Sequence, residues 1–284
     1  LSHQTGWKKS VFETYKEASI SFEWTSILKN KCDEVGIDYF SSPYDFESVD
    51  QIDPYVEIFK IGSGDITWLD IIEHIAKKGK PIILATGASE MKEVESAMNL
   101  ISNYTDEIVL MQCNTNYTID NDKHKYVNLN VLKNYKRKFK NAILGLSDHT
   151  IGHATVLGSI ALGARVIEKH YTDDNKQDGP DHAFAMNPKS WREMVDRSYE
   201  LLLSLGDGVK KIEFNEKQSK IVQRRCLRAA ADLKKGHILT KKDIIALRPI
   251  SDGGIEPYEI KNILGNVLTE NINEGEHFTK NNNI

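Results

Sequence analysis

The chain has 284 residues and exceeds the usual size of one domain, although β/α barrels routinely reach about 250 residues as one unit. Its formal net charge of −4 argues against a nucleic-acid binder, because such proteins cluster positive charge toward phosphates. The 3 cysteines are far apart, which argues against a disulfide framework or a thiolate zinc site. The same cysteine pattern predicts a cytoplasmic protein. Since no run of about 18 or more apolar residues appears, we expect no membrane partner.

Short apolar runs alternate with amphipathic helical runs along the first two thirds of the chain. Each apolar run is too short for a helix and too uniformly apolar for a strand with one solvent-exposed face. This pattern predicts parallel strands that are buried on both faces. The predicted strands are Ile37–Ser41, Ile58–Ile61, Pro81–Ala85, Ile108–Met111, Ala142–Gly145 and Arg165–Ile167. The predicted helices are Trp68–Lys78, Ser89–Ser102, Asn130–Phe139, Gly152–Leu162 and Pro188–Leu205.

Almost every predicted strand runs directly into a polar or glycine-rich tip. An open parallel sheet gathers its ligand at one switch point, whereas a closed barrel has functional loops after all of its strands. The pattern therefore predicts an α/β fold with a β/α (TIM-type) barrel. A complete barrel has eight strands, so the first two are expected to be missing. The chain also lacks an initiator methionine, and we expect the natural protein to carry about 80 to 100 further N-terminal residues.

The texture of the sequence changes beyond residue 225. Residues 232–241 and 271–280 form a weak repeat in which a glycine turn is followed by His, an apolar stretch and Thr. This repeat predicts a small, pseudo-symmetric, β-rich module. The predicted organisation is a catalytic barrel at 1–205, a linker at 206–225 and a β-rich cap domain at 226–284.

Two glycine-containing loops after predicted strands have the composition of an anion site. In residues 60–65, Lys-Ile-Gly-Ser-Gly-Asp, the glycines let backbone N–H groups approach an anion, while Ser63 and Lys60 add a hydroxyl and a charge. Thr86 and Gly87 repeat the theme before a helix N-terminus. A Gly-Ser-Gly sequence also makes a simple tight turn, and Ser89 is equally explained as a helix cap.

His149 and His170 follow consecutive predicted strands, with Asp148 and Glu168 beside them. Neighbouring parallel strands end at the same rim of a barrel, so both imidazoles can converge on one point. A lone histidine is usually structural, but this pair predicts an open site for Mn²⁺ or Mg²⁺, or for Zn²⁺ by affinity. Asp181 follows Gly-Pro in a stiff setting and is a candidate for a substrate-hydroxyl or acid–base contact.

Several motifs together resemble the N-acetylneuraminate (sialic acid) synthase family. They are Lys-Ile-Gly-Ser-Gly-Asp from residue 60, Ile-Leu-Ala-Thr-Gly from 83, Gly-Leu-Ser-Asp-His-Thr from 145, Glu-Lys-His-Tyr-Thr-Asp from 168, Gly-Pro-Asp from 179 and Leu-Arg-Pro from 247. The resemblance runs in the family's order from about Ile37 to Ile272, and the last module is similar to the family's antifreeze-like (SAF) domain. The resemblance implies a transferase of carbohydrate biosynthesis that condenses phosphoenolpyruvate with an N-acylated amino sugar. The sugar would be N-acetylmannosamine, its 6-phosphate or a related deoxy amino sugar, and phosphate would leave by C–O cleavage.

The same resemblance implies roles for individual residues. Phosphoenolpyruvate would be held by Lys60, Ser63, Thr86, Thr115 and Ser147. His149 and His170 would bind the divalent metal, and Asp65, Tyr117 and Asp181 would face the reacting sugar as catalytic groups. Arg248 would reach from the cap domain of a partner subunit to the N-acyl group, within a domain-swapped homodimer.

The chain departs from the family pattern in several places. Asp65 stands where Glu is frequent, Ala85 stands where Ser is common, and the residues from Gln112 to Thr118 differ from the usual His-Cys-Thr-Asn-x-Tyr-Pro. Two other functions remain open from the sequence: a Schiff-base aldolase acting through Lys60, and a non-catalytic, sugar-binding degenerate barrel.

Overall fold

The computed structural model describes residues 10–116, 121–179 and 181–280. The chain divides into two compact units, a barrel unit Leu1–Gly206 and a C-terminal unit Asp207–Ile284. The strands of the barrel unit are β1 (Phe59–Ile61), β2 (Ile82–Ala85), β3 (Ile108–Cys113), β4 (Ile143–Asp148) and β5 (Val166–Lys169). Its helices are α1 (Val11–Ala18), α2 (Trp24–Val35), α3 (Phe46–Ile52), α4 (Leu69–Ala76), α5 (Met91–Ile101), α6 (Val131–Lys138), α7 (Ala154–Ala161) and α8 (Pro188–Leu205).

Local signals explain where several of these helices begin. α8 starts with Pro188 in its first turn, and the side chain of its N-cap, Asn187, accepts from the backbone N–H of Ser190. At the start of α5 the backbone N–H of Glu90 donates to the Glu93 carboxylate at 2.6 Å. None of the helices in the described parts of the chain is long and apolar enough to cross a membrane.

The strands of the barrel unit form one parallel sheet in chain order, β1-β2-β3-β4-β5. The predicted strand Ile37–Ser41 is wrong, because this segment is irregular in the structure. The oxygen of Ser41 accepts one long backbone hydrogen bond, 3.4 Å, from the N–H of Lys60. Ile37 and Phe40 are both exposed. The segment therefore runs beside β1 without the ladder of hydrogen bonds that defines a strand.

Alternate residues of each strand face two different layers. The outer layer packs against the helices and includes Phe59, Ile61, Ile82, Leu84, Leu110 and Leu144. The inner layer is a separate cluster of Ile83, Val109 and Met111 with Ile58 and Val166. A side chain's parity along its strand therefore decides which layer it enters.

The sheet is strongly curved. Strands lie about 4.8 Å apart, so a flat sheet of this width would separate its edge strands by roughly 19 Å. The side chains of Lys60 on β1 and Glu168 on β5 could not bridge that gap, yet their charged atoms lie 3.3 Å apart. This curvature, with helices on the outer face, confirms the predicted fold class of an incomplete TIM-type barrel.

The C-terminal unit has its own small core. It contains α9 (Lys217–Gln223), β6 (Cys226–Ala229) and β7 (Ile244–Leu247), and the two strands pair antiparallel. The repeated segments pair through Leu233 and Ile272, each of which donates to the other's carbonyl. Their turns place Gly236 and Gly275 at φ of 86° and 80°, a conformation that favours glycine. The prediction of a small, β-rich C-terminal domain is confirmed.

Candidate active site

The inner layer ends in a polar group at the carboxyl ends of the strands. Ser147 and Glu168 share the inner parity of Gly145 and Val166, and the Ser147 hydroxyl donates to Glu168 Oε1 at 2.7 Å. Lys60 is buried, and its ammonium lies 3.3 Å from Glu168 Oε2. Glu168 was predicted to lie with the histidines, and its link to Lys60 was not predicted. The alternation Val-Ile-Glu along β5 was the signal that could have revealed it.

A second group surrounds Gly87, directly after β2. Its N–H donates to the hydroxyl of Ser63 at 2.8 Å. A Cβ at this position would lie 1.8 Å from Thr115 Oγ1 and 3.0 Å from both Cys113 Sγ and Ser63 Oγ. Only glycine fits without displacing these atoms. The structure thus brings the predicted residues Ser63 and Thr115 together at one close approach of the backbone, which we call the Gly87 pocket.

The Thr86 side chain does not join the Gly87 pocket. Its hydroxyl donates to the carbonyl of Met111 at 2.8 Å and shares a 2.9 Å hydrogen bond with Tyr135 on α6. Thr86 has the outer parity of Ile82 and Leu84, so its side chain faces the helix layer.

His149 and His170 lie together at the ends of β4 and β5. Their ring centres are 5.0 Å apart. Burial, and next the nearby His170, lower the pKa of His149 to about 4, so this imidazole is neutral near pH 7. The Nδ1 of His170 lies 3.3 Å from Asp181 Oδ2, and this contact lowers the pKa of the Asp181 carboxyl.

The histidine pair and the Gly87 pocket are neighbours because Cys113 lies between them. The thiol of Cys113 is 3.5 Å from Thr115 Oγ1 and 3.9 Å from the Nδ1 of His149. Cys113 has the same inner parity on β3 as Val109 and Met111. An anion in the pocket and an ion at the histidines would therefore lie side by side.

A buried polar network holds the loop that carries His149. Asp148 and Lys169 form an ion pair of 2.6 Å in which both side chains are 1% exposed. Asp148 also accepts from the hydroxyls of Thr150 and Thr155, at 3.0 and 2.6 Å. The ammonium of Lys169 further donates to the carbonyl of Thr150 at 2.7 Å. Asp148 and Lys169 have the outer parity of β4 and β5 and do not face the barrel interior.

Lys123 and Phe184, which lie next to the histidine pair, were not predicted from the sequence. Lys123 is buried and donates to the backbone carbonyl of His149. Its ammonium lies 5.0 Å from the ring centre of Phe184, whose ring is 5.1 Å from that of His170. No spacing rule points to Lys123, because it stands in a mixed run of Asn, Asp, Lys and His that resembles a surface loop.

Three other predicted site residues have different settings. Asp65 follows Ser63 in a short 3₁₀ turn, and burial raises the pKa of its carboxyl. Tyr117 lies outside the described residues. Arg248 follows β7 in the C-terminal unit, is exposed, and donates from Nε to the carbonyl of Gln223 at 2.6 Å.

The histidine pair fits a divalent metal. Two imidazoles that share one ion through bonds of about 2.1 Å place their ring centres roughly 5 Å apart, and the observed separation is 5.0 Å. In the part of the chain that the structure describes, no group of 3 or more His, Cys, Asp or Glu side chains is arranged to hold a metal ion. An ion at this pair would take its other ligands from substrate and water.

Comparisons with known proteins find synthases of legionaminic, pseudaminic and N-acetylneuraminic acids. The N,N'-diacetyllegionaminic acid synthase of Legionella pneumophila is 34% identical, with 93% of this chain and 74% of that protein aligned. The pseudaminic acid synthase of Campylobacter jejuni is 31% identical, with 95% and 77% aligned. The crystal structure of an N-acetylneuraminic acid synthetase from Leptospira borgpetersenii, in complex with citrate, superposes with a TM-score of 0.69 at 27% identity, covering 77% of this chain and 76% of that one.

Family models divide the chain where its composition changes. The model described as the NeuB family matches residues 1–210. The model of the SAF domain matches residues 224–282. The chain therefore belongs to the NeuB family and ends in a SAF domain.

Proposed function

We propose that the protein is a nonulosonic acid synthase that condenses phosphoenolpyruvate with an N-acylated amino sugar and releases phosphate. The observation that carries this proposal is the close approach at Gly87, where an N–H group and the hydroxyls of Ser63 and Thr115 converge beside a histidine pair. Hydroxyls and a backbone N–H at a glycine suit the oxygens of a small anion. The names of the relatives support the product class.

The anionic cosubstrate would lie between the Gly87 pocket and the inner polar group. Lys60 and the hydroxyl of Ser147 already hold the Glu168 carboxylate at 3.3 and 2.7 Å, so they are placed to receive another carboxylate or a phosphate. Preorganised donors of this kind stabilise developing charge without reorganisation. In this proposal Thr86 holds the backbone of the pocket through Met111 and Tyr135, and contributes no direct ligand.

Two carboxyl groups are candidates for the acid and base roles. Burial raises the pKa of Asp65, and in this proposal Asp65 is the acid that donates a proton to the sugar aldehyde oxygen as the carbon–carbon bond forms. The contact with His170 lowers the pKa of Asp181. Asp181 therefore stays a carboxylate, which in this proposal accepts a proton from the attacking water. Environments that separate two acidities in this way allow distinct acid and base roles.

His149 and His170 would hold Mn²⁺ or Mg²⁺. When bound there, the ion would supply Lewis acidity toward the sugar aldehyde. Asp181 faces His170 Nδ1, so His170 would present Nε2 to the ion, in a tautomer fixed by the carboxylate. The lowered pKa of His149 keeps its ring neutral and able to ligate at neutral pH.

The proposal is tested by incubating the protein with phosphoenolpyruvate and N-acetylmannosamine, its 6-phosphate or a diacylated deoxy amino sugar. We expect phosphate release to require one of these sugars and Mn²⁺, and to stop in chelator. Phosphoenolpyruvate labelled with ¹⁸O at the bridging position should yield labelled phosphate, because the C–O bond breaks. His149→Ala should remove activity while His153→Ala, a nearby matched control, should retain it. Unlabelled phosphate, or full activity in chelator, would contradict the mechanism.

A Schiff-base aldolase is the main alternative. A Schiff-base lysine needs its amine free to attack a carbonyl, whereas Lys60 Nζ is engaged with the Glu168 carboxylate at 3.3 Å. Borohydride treatment with pyruvate is expected to leave Lys60 unmodified. A stable adduct on Lys60, found by peptide mass spectrometry, would replace the proposed function with the aldolase.

The role of Arg248 and the domain-swapped homodimer stay predictions. A hydrogen bond from a guanidinium to an acyl oxygen contributes about 1.5 to 3 kcal/mol, or roughly ten- to a hundredfold in affinity. Arg248→Ala should weaken binding of the sugar and leave phosphoenolpyruvate binding nearly unchanged. Kinetics with each substrate varied, together with sedimentation, test both points, and a fully active monomer would exclude a partner's arginine.

A further inference from the structure

One buried lysine beside the histidines has no part in the proposed reaction. Lys123 belongs to the 3₁₀ helix Asn121–Tyr126 and is 3% exposed. Its ammonium donates to the carbonyl of His149 and lies 5.0 Å from the ring centre of Phe184. That ring lies 6.4 and 5.1 Å from the rings of His149 and His170. Lys123 therefore contacts the backbone of one histidine and an aromatic ring that neighbours both.

The peptide group between His149 and Thr150 is held at both ends. Lys123 donates to its carbonyl oxygen. Its N–H, that of Thr150, donates to Asp148 Oδ1 at 3.0 Å. The next carbonyl along the chain, that of Thr150, accepts from Lys169 at 2.7 Å. Fixing these peptide planes fixes the direction of the His149 Cα–Cβ bond, and hence where the imidazole can point.

The segment that carries Lys123 is itself anchored to the end of β3. The side-chain amide of Gln112 donates to the carbonyl of Val127 at 2.9 Å. The amide of Asn114 donates to the carbonyl of Tyr126 at 3.3 Å. Lys123 is thus presented to the His149 loop by a segment tied to the neighbouring strand.

We propose that Lys123 is a positioning residue, which orients His149 toward His170 and thereby sets the affinity of the histidine pair for a divalent ion. The consequence for the metal rests on the proposed function, whereas the effect on the loop does not. Partners behind metal ligands typically change metal affinity about 10- to 100-fold when they are removed.

The experiment compares Lys123→Met with Lys125→Met. Methionine keeps the apolar stem of Lys123 and removes the donor. Lys125 lies on the same short helix, is 67% exposed and pairs with Asp122, so it is a matched control. Mn²⁺ affinity of the whole chain is measured from the electron paramagnetic resonance of free Mn²⁺. Phosphoenolpyruvate affinity in chelator is measured by calorimetry, and hydrogen exchange follows the peptide that spans residues 147–155.

We expect Lys123→Met to weaken Mn²⁺ roughly tenfold or more, and to speed exchange in the His149 loop. Phosphoenolpyruvate affinity in chelator should change less than twofold, which separates a local change from general unfolding. Lys125→Met should match the wild type in all three measurements. If Lys123→Met does not fold, Lys123→Gln, which keeps one shorter donor, should show the same changes to a smaller degree.

The outcomes separate this inference from the proposed function. If the wild-type protein binds no Mn²⁺ through its histidines, the proposed metal site is wrong. The predicted effect of Lys123 on Mn²⁺ affinity is then wrong as well. Wild-type binding that Lys123→Met leaves unchanged would overturn the inference alone. If Lys123→Met leaves hydrogen exchange of residues 147–155 unchanged, the positioning role is overturned, whether or not Mn²⁺ affinity changes.

Discussion

Two lysine–carboxylate pairs meet at the end of β5, and they differ in almost every physical respect. Lys60 and Glu168 meet in the inner layer at 3.3 Å, with side chains 8% and 38% exposed. Lys169 and Asp148 meet in the outer layer at 2.6 Å, both 1% exposed. Glu168 and Lys169 are consecutive residues of β5, so strand alternation alone sends them to opposite layers.

The difference shows how one strand end can serve binding and stability at once. The outer pair is surrounded by further hydrogen-bond donors from Thr150 and Thr155, so it cannot exchange partners without unfolding the loop. The inner pair keeps a partly exposed carboxylate, so an incoming anion can compete for its cation. The outer lysine–carboxylate pair thus stabilises the His149 loop, whereas the inner pair belongs to the candidate site.

The largest expected effect comes from breaking the outer pair. Lys169→Met leaves the Asp148 carboxylate buried without its ammonium, which should lower the free energy of unfolding by about 3 to 5 kcal/mol. The matched inner change, Lys60→Met, should cost less than about 1 kcal/mol, because Glu168 can still reach water. Urea unfolding followed by circular dichroism measures both. Equal losses for the two variants would contradict the division of roles between the layers.

The next effect concerns pH in the metal-free protein. The folded pKa of His149, about 4, lies below its ordinary value of 6.5, so the unfolded chain binds more protons between these values. Its contribution to stability is therefore present above about pH 6.5 and is lost as pH falls toward 4, by at most about 3 kcal/mol.

Unfolding of wild type and His149→Gln in chelator at pH 7 and pH 4.5 isolates this contribution. The wild type should lose more stability than the variant over that interval. Parallel losses in the two proteins would mean that His149 titrates normally.

A smaller effect tests the backbone approach in the inner layer. Gly87→Ala places a Cβ 1.8 Å from Thr115 Oγ1, so phosphoenolpyruvate affinity should fall at least about tenfold, with an overpacking cost of roughly 1 to 3 kcal/mol. Gly64→Ala is the control, since a Cβ there meets nothing within 4 Å. Calorimetry in chelator measures both affinities. An unaffected Gly87→Ala protein would show that no anion binds in the pocket.

The smallest effect separates Thr86 from Ser63. Thr86→Val removes the hydrogen bonds to Met111 and Tyr135 and should lower stability by about 1 kcal/mol, with phosphoenolpyruvate affinity nearly unchanged. Ser63→Ala should weaken phosphoenolpyruvate binding and leave the free energy of unfolding nearly unchanged. If Thr86→Val weakened phosphoenolpyruvate as strongly as Ser63→Ala, Thr86 would be a direct ligand, as the family resemblance implies.

Much of the barrel unit followed from local pattern. The apolar runs around Ile83, Leu110 and Leu144 and the intervening helices were predicted because a buried parallel strand and an amphipathic helix each leave a clear periodicity. The prediction of a strand at Ile37–Ser41 was wrong, because its composition suits a strand but strand formation also depends on a partner. The link between Lys60 and Glu168 was missed because it joins strands far apart in the chain.

The sequence by itself determined the alternation of strands and helices, the position of the second module, the family and the two histidines at adjacent strand ends. Each of these depends on local composition or on a short motif. Only the tertiary structure decided that Thr86 faces the helices, that Gly87 packs against Thr115, and that Lys123 donates to the backbone carbonyl of His149. Those relations depend on how far the sheet curves and on which layer each side chain enters, and both are set by contacts between residues remote in the chain.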